Sequence, residues 1–470
     1  MNTHTQLAII GAGPGGYVAA FHAADLGLNV TLIDKNANPG GVCLYQGCIP
    51  SKALLHAAKV MTDIKEARQF GIDCGEPKVD LDKLRAWKDG VVTRLTSGLG
   101  QLTKQRKITY AQGEAKFLNA TTVEVRLSDG TANTLTFDKA IIATGSRAVE
   151  LPFLAKSARV LDSTTALEIA AIPADLLVIG GGYIGLELGS AYAALGARVS
   201  VVEALPQLLS NADKDLADVL LRRLKKTFTK IMPDTRVLDA KETPDGVRVT
   251  LRNGAGQEFT ELYSHVLVSV GRKPNVEGLG LETTKVQLTD SGFIEVDEAR
   301  RTDEKNIFAI GDMTGNPMLA HKASAEAKVV AEVVAGKDTA YEPRCIPAVI
   351  FTDPELAWCG ITEQEAHAKG LGVNVSKFPW AASGRALTMG RAEGITKIIT
   401  DQKTDRILGV GIVGAHAGEL IAEGALAVET GMKAEDLALT IHPHPTLSET
   451  VMEAAEGIYG NPTHILKPKK

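Results

Sequence analysis

The sequence predicts an α/β protein with two parallel-sheet domains of one design, followed by a smaller α+β domain. Three observations carry this. The first is an internal repeat. "QLAIIGAGPGGYVAAFHAADLGLNVTLID" (6–34) and "DLLVIGGGYIGLELGSAYAALGARVSVVE" (175–203) each run from an apolar strand into G-x-G-x-x-G, an alanine-rich helix and a second apolar strand. The second is register: each repeat ends on an acid 23 residues beyond its first glycine, Gly11 to Asp34 and Gly180 to Glu203. The third is a change of character near residue 345. Beyond it strands and helices alternate without a phosphate-binding turn. At 470 residues the chain exceeds one core, and a prior of about 150 residues per domain gives roughly three.

Each glycine of the two repeats has a physical task. The first, Gly11 or Gly180, makes the tight turn. The second, Gly13 or Gly182, lets a pyrophosphate approach the backbone, and the third, Gly16 or Gly185, lets helix pack on strand. The helix start then offers free N–H groups and a positive dipole end to phosphates. Asp34 and Glu203 are placed to accept from a ribose hydroxyl. One such spacing is weak, because glycines serve in many turns. Two complete frames in register predict two Rossmann-like dinucleotide-binding domains.

After the first frame comes "GGVCLYQGCIPSKALL" (40–55). On a regular helix Cys43 and Cys48 would have Cα atoms roughly 8.6 Å apart, beyond the roughly 7 Å that a disulfide tolerates. The segment must therefore be distorted if they bond, with Gly47 and Pro50 as the candidates. From Cys48 the pattern is helical and places Lys52 one turn on, where an ammonium favours a thiolate. A structural staple, a metal clip and a redox pair are the three readings. A clip wants further ligands at short spacing, and Cys74, Cys345 and Cys359 stand isolated in the sequence. A staple closing so short a loop gains little.

"KAIIATGSRA" (139–148) and "HVLVSVGRKPN" (265–275) echo each other as strands ending in small-residue turns, with Gly145 and Gly271 at the bends. Each is expected to close one dinucleotide domain, with linkers near 150–152 and at "GRKPN". "KNIFAIGDMTG" (305–315) is a further strand into a glycine turn carrying Asp312, either a cap for the next helix or a contact to a cofactor sugar. In the last part, "TKIITDQKTDRILGVGIVG" reads as a hairpin.

Composition excludes several classes. Hydrophobic content of 44% and charged content of 23% are those of an ordinary globular chain. Net charge is −5 and no basic run stands out beyond the closing "KPKK", so no nucleic acid is expected. No apolar run is long enough to span a membrane, and "MNTHTQ" has no signal-type start. Five cysteines do not make a disulfide-built scaffold; a cytosol or an already processed organelle protein would both fit, and a cytoplasmic protein is expected.

"GGVCLYQGCIPSK" together with two dinucleotide fingerprints resembles the flavin disulfide reductases, the FAD-dependent pyridine nucleotide-disulfide oxidoreductases, over essentially the whole chain. The resemblance implies FAD on the first fingerprint and a nicotinamide cofactor on the second. It implies a redox disulfide Cys43–Cys48 against the flavin, and a C-terminal domain that forms a homodimer. The expected division is 1–149 for FAD, 150–274 for NAD, 275–344 completing the FAD site and 345–470 as the interface. Gly11, Gly13, Gly16, Asp34, Lys52, Gly145, Asp312, Ala320 and His321 would serve FAD. Gly180, Gly182, Gly185, Glu187, Glu203 and Gly271 would serve the NAD side, with Glu187 paired to Lys52. No metal is expected.

Four features bear on the substrate. Glu203, with no Arg or Lys directly after it, suits the free ribose 2′-OH of NAD rather than a 2′-phosphate. "MLAHKASAEA" (318–327) resembles the lipoamide-linked members, where this helix start faces the flavin; alone, His321 reads as a local cap. "HPHPTLSE" (442–449) resembles the family's C-terminal motif, which implies His444 as acid–base and Glu449 as its orienting partner, supplied across the dimer. On its own it reads as a proline-rich turn before a helix. The tail lacks the extra cysteine pair of mercuric reductases. Tyr183 departs from the lipoamide-linked pattern: a tyrosine there is typical of glutathione-type reductases, and its bland role is helix packing. The expected activity is NAD-linked oxidation of a dihydrolipoyl group, free or on a lipoyl-bearing protein, within a multienzyme complex. The alternative is another NAD(P)H-dependent flavin disulfide or mercuric-type reductase.

Overall fold

The computed structural model describes residues 3–155 and 157–466. The closing basic run, 467–470, and the first two residues lie outside them.

The first repeat forms β1 (Thr3–Ile10), α1 (Pro14–Asp25) and β2 (Val30–Asp34). Next come α2 (Gly41–Gln46), α3 (Cys48–Glu66) and α4 (Leu81–Gln105), then the strands β3 (Thr109–Asn119), β4 (Thr122–Leu127) and β5 (Ala132–Ile142). β2, β1 and the end of β5 run parallel, with the start of β3 beyond β2. The end of β3, β4 and the start of β5 form an antiparallel extension. The parallel strands are apolar on both faces because both are covered: fully buried Leu7, Ile9, Leu32 and Ile141 pack with α1 on one face, whereas Ala8, Ile10, Ile33 and Ile142 pack with Phe117, Val123 and Val125 of the antiparallel extension on the other.

A short ribbon follows, β6 (Ser146–Ala148), and then the second unit opens with β7 (Val160–Asp162). Its repeat is β8 (Asp175–Ile179), α5 (Tyr183–Ala194) and β9 (Arg198–Val202). α6 (Lys214–Thr227), β10 (Lys230–Met232), the antiparallel trio β11 (Thr235–Thr243), β12 (Gly246–Asn253) and β13 (Glu258–Tyr263), and β14 (His265–Val268) complete it. The parallel order is β10-β9-β8-β14-β7. Both units therefore carry an antiparallel trio after their repeat: in the second it precedes β14, and in the first its last strand, β5, itself pairs with β1. β15 (Arg272–Pro274), within the "GRKPN" segment expected as a linker, pairs antiparallel with β6, which ends just before the other expected linker at 150–152.

β16 (Ile307–Ala309) returns to the first sheet beside β5, and α7 (Ala320–Val334) packs on α1. The C-terminal domain starts with the hairpin β17 (Ala348–Ile350) and β18 (Glu355–Gly360), then α8 (Glu363–Ala368) and β19 (Val373–Pro379). After α9 (Gly384–Thr388) come β20 (Ile395–Asp401) and β21 (Ile407–Gly414), which form the expected hairpin, and the helices α10 (Ala417–Thr430), α11 (Ala434–Leu439) and α12 (Glu449–Tyr459). Its five-stranded sheet is antiparallel. G-x-G-x-x-G spacing recurs there at Gly409, Gly411 and Gly414, but inside β21 rather than at a turn. Spacing without its strand–turn–helix frame carries no site.

Candidate active site

The glycine turns are built alike in both repeats. Gly11 and Gly180 hold φ of +98° and +107°, a left-handed region closed to most side chains. A Cβ on Gly16 would lie 1.8 Å from the Gly11 carbonyl oxygen, and one on Gly185 would lie 2.3 Å from that of Gly180. These third glycines sit behind the turn, where the helix presses on the strand. Gly182 is different: a Cβ there meets nothing within 4 Å. On Gly13 it meets only the Gly41 Cα, at 3.9 Å. Neither α1 nor α5 has a side-chain cap, so their first N–H groups stay available. The acids are also placed alike. Asp34 accepts from the backbone N–H of Ala12 at 2.8 Å and of Asn36 at 2.9 Å. Glu203 accepts from those of Gly181 at 2.7 Å and Leu205 at 2.8 Å. Each carboxylate thus braces its own glycine turn and keeps lone pairs for a ligand.

One elongated cavity runs from Asp34, Lys35 and Asn36 past Gly11, Gly13 and Gly145 to Cys43, Cys48 and Lys52. Asp312 and Ala320 line it too. Asp312 accepts a hydrogen bond from the Ser146 hydroxyl. Ser146 in turn holds Arg272, accepting from Nε at 2.8 Å and, through its carbonyl, from Nη2 at 2.7 Å. Asp312 caps nothing: the next helix, α7, has no side-chain cap, and its first residue, Ala320, opens onto the cavity. His321 turns away, with Nε2 2.7 Å from the Pro347 carbonyl oxygen.

The cysteine segment is broken where close approach demands it. Gly47 separates α2 from α3 at φ −150°, ψ −114°, and a Cβ there would stand 2.9 Å from the Val42 carbonyl oxygen and 3.3 Å from the Cys43 Cα. Pro50 does not break the chain. It sits in the first turn of α3, where a missing N–H costs nothing. Cys43 and Cys48 are thiols in mutual hydrogen-bonding contact. Donation from Cys43 pulls the Cys48 thiol down to about 7; burial opposes this, and Lys52 adds to it. The same contact, with burial, pushes Cys43 upward. Cys48 begins α3, whose start carries no side-chain cap.

Lys52 Nζ bonds Glu187 Oε2 at 2.8 Å and lies 4.4 Å from the centre of the Phe351 ring. Glu187 also accepts from the Phe351 N–H at 2.9 Å. It is buried, at 3% exposure, so it is no exposed helix acid. It faces this first cavity, although it belongs to the second repeat.

A larger groove of 1290 Å³ lies over the second repeat, lined by Gly180, Gly182, Glu203, Gly271 and Arg272. Tyr183 borders both spaces at the start of α5, and burial pushes its phenol up to about 12. It stands at the junction rather than serving only as helix packing.

His444 and Glu449 form a third group. His444 Nδ1 is 2.8 Å from Glu449 Oε1, and Glu449 Oε2 accepts from the Thr446 N–H at 2.8 Å. Burial works to raise the Glu449 carboxyl, but the Thr446 N–H and His444 outweigh it and hold it below its ordinary value. The His444 ring is 76% exposed and does not line the cysteine cavity.

The residues fit the two dinucleotides. Open space over Gly13 and Gly182, uncapped helix starts and one acid per repeat are what a pyrophosphate and a ribose require. The pyridine nucleotide-disulphide oxidoreductase model matches residues 5–327, and the dimerisation domain of the same name matches 346–455. The chain belongs to the pyridine nucleotide-disulphide oxidoreductase family. Among similar proteins in this family, the dihydrolipoyl dehydrogenase of Vibrio cholerae is 46% identical, covering 99% of this chain and 98% of its own. That of Haemophilus influenzae is 47% identical, covering 99% and 97%. Among solved structures, LpdA from Mycobacterium tuberculosis aligns with a TM-score of 0.89 at 28% identity, over 96% of this chain and 99% of that one. The HOCl-induced flavoprotein disulfide reductase RclA from Escherichia coli gives 0.85 at 27% identity, over 96% and 99%.

Sequence reasoning missed the Ser146–Asp312–Arg272 cluster and Phe351. Ser146 and Arg272 stand in the two echoed segments, so the signal was there: pairing of β6 with β15 brings them together. Phe351 gave no signal. The sequence also left Cys345 and Cys359 isolated, and here the structure corrects it, because the two thiols touch.

Proposed function

We infer that the chain oxidises dihydrolipoyl groups to lipoyl and reduces NAD⁺ to NADH, the reaction of a dihydrolipoyl dehydrogenase. The observation that carries this is the paired Cys43 and Cys48 thiols, with Lys52 one turn on, at the end of a dinucleotide cavity. Its cofactors are FAD and NAD. Gly11, Gly13, Asp34, Gly145, Asp312 and the α7 start at Ala320 are proposed to hold FAD, with the His321 backbone contributing only its N–H. Gly180, Gly182, Glu203 and Gly271 are proposed to hold NAD. Gly16 and Gly185 act by letting helix meet strand.

His444 of the partner subunit takes a proton from one substrate thiol, with Glu449 fixing its ring. The substrate thiolate attacks Cys43 of the Cys43–Cys48 disulfide. The S–S bond breaks and Cys48 leaves as a thiolate, which its low pKa favours. The second substrate thiol, deprotonated, attacks the substrate sulfur of the mixed disulfide. A lipoyl disulfide departs and Cys43 is released. Lys52, held by Glu187, lies beside the Cys48 charge. A bound FAD would supply the two-electron chemistry that links the reduced Cys43–Cys48 pair to NAD⁺.

The dimerisation domain supports a homodimer, and the substrate is a dihydrolipoyl group, free or on a lipoyl-bearing protein. Membership of a multienzyme complex and a cytoplasmic location are parts of this proposal. Among the described residues no helix is long and apolar enough to cross a membrane. The deciding experiment is steady-state oxidation of dihydrolipoamide with NAD⁺, beside NADP⁺, and reduction of glutathione disulfide. Fast NAD⁺-linked turnover is expected. Negligible dihydrolipoamide turnover in a yellow protein that NADH reduces would overturn the substrate and favour another reductase of the family, with Tyr183 the first residue to vary.

A further inference from the structure

The C-terminal domain holds a second thiol pair that the proposed reaction leaves unused. Cys359 lies on β18, and Cys345 precedes β17 by three residues. The two strands form an antiparallel hairpin with Ala348 opposite Trp358. This register puts the two cysteines on one face, at diagonal positions just past the paired residues. The Cys359 thiol and the Cys345 sulfur are in hydrogen-bonding contact. Two sulfurs that already touch need only a small approach to reach the ~2.04 Å of a disulfide.

The two positions differ as the partners of such a bond should. Cys359 is 1% exposed within the apolar core of the domain. Cys345 is half-buried and opens onto a separate 620 Å³ cavity lined by Arg344, Lys369 and Arg406. Its sulfur also lies 3.6 Å from the Ala425 carbonyl oxygen. The hydrogen bond from Cys359 pulls the Cys345 thiol below its ordinary value, against burial. A small polar oxidant thus meets the more acidic sulfur first, with the resolving thiol already behind it.

We propose that Cys345 and Cys359 are a second redox-active dithiol of this chain, closed to an intramolecular disulfide by a hydroperoxide. The Cys345 thiolate attacks a peroxide oxygen. An S–O bond forms, the O–O bond breaks, and the leaving oxygen departs as hydroxide or alkoxide and is protonated. The Cys359 thiol then attacks the sulfenic sulfur. The S–S bond forms, and the S–O bond breaks with release of water. The two thiols lose two electrons and the peroxide gains them. The dithiol stands apart from the cavity of Cys43 and Cys48, so the inference does not rest on the lipoyl reading.

The test uses the full-length protein with its flavin. It is reduced with a trialkylphosphine, desalted and exposed to a few equivalents of hydrogen peroxide. Free thiols are then alkylated, and peptides are mapped by mass spectrometry without reduction. The Cys345–Cys359 peptide is expected to account for most of both cysteines and to vanish on re-reduction. In Cys359→Ser, Cys345 is expected to appear as a dimedone-trapped sulfenic acid instead, at least tenfold above the unoxidised control. Recovery of both residues as free thiols, under peroxide that already oxidises the exposed Cys74, overturns the proposal. So does a Cys345 linked to any other cysteine, or one in Cys359→Ser that dimedone fails to label.

Discussion

Replacing Lys52 by methionine removes the one cation that stands a turn beyond Cys48 and keeps most of the side-chain volume. Two unit charges about 6 Å apart, the spacing of helical neighbours at i and i+4, interact by ~2.8 kcal/mol at an effective dielectric of about 20. That is roughly two pKa units. The Lys52 side chain is 33% exposed, so water screens part of this, and about one unit is a fair expectation. Cys43 remains and still donates to Cys48, which preserves the larger contribution. Glu187 acts the other way: it loses its partner, keeps only the Phe351 N–H, and repels the thiolate. The Cys48 thiol should therefore move from about 7 to about 8 or higher, and its thiolate fraction at pH 7 should fall from about a half to about a tenth. The assay is the pH dependence of iodoacetamide alkylation of the reduced protein, read at Cys48 by peptide mapping. A midpoint unchanged in Lys52→Met would refute the electrostatic role of Lys52 and leave the Cys43 hydrogen bond as the whole cause.

Three further outcomes are expected. His444→Ala should lower dihydrolipoamide turnover by ~10²–10⁴-fold, the usual worth of a general acid–base, while leaving NADH-to-quinone turnover intact; equal loss of both activities would show a structural role. Gly182→Val should leave thermal stability within about 0.5 kcal/mol, because the backbone there is extended and a Cβ meets nothing within 4 Å, yet it should weaken NAD binding at least tenfold by calorimetry; unchanged affinity would remove the helix start from the NAD site. Lys397→Met should destabilise by roughly 3–5 kcal/mol in denaturant titration, since Lys397 is 1% exposed and joins Asp213 and Asp215 of the second unit to Glu363 of the C-terminal domain. Burial works to raise the Asp215 carboxyl, but Lys377 and Lys397 outweigh it and hold it below its ordinary value. Its contribution is therefore present above the unfolded carboxyl pKa and lost as pH falls through the lower folded value, so the variant and the wild type should converge in strong acid and differ at neutral pH.

The two dinucleotide frames were legible because their causes are local. A strand, a three-glycine turn and a helix are fixed by periodicity and backbone sterics within about thirty residues, and Asp34 and Glu203 follow at a set distance. The pairing of Cys43 with Cys48 was implied by the family resemblance; helix geometry added only that the segment must be distorted if they bond, and the break falls at Gly47, where a side chain would strike Val42. His444 and Glu449 are five residues apart, yet their meeting depends on the turn that Thr446 ties to Glu449. By itself, then, the sequence determined the repeated α/β architecture, the glycine turns and the reactive cysteine segment. Only the tertiary structure decided that Glu187 is buried against Lys52, 135 residues away, that Ser146 joins Asp312 to Arg272, and that Cys345 touches Cys359. Such contacts have no signature in periodicity. They arise when whole sheets and domains pack, and the energy that selects them is burial spread over hundreds of side chains rather than any short pattern along the chain.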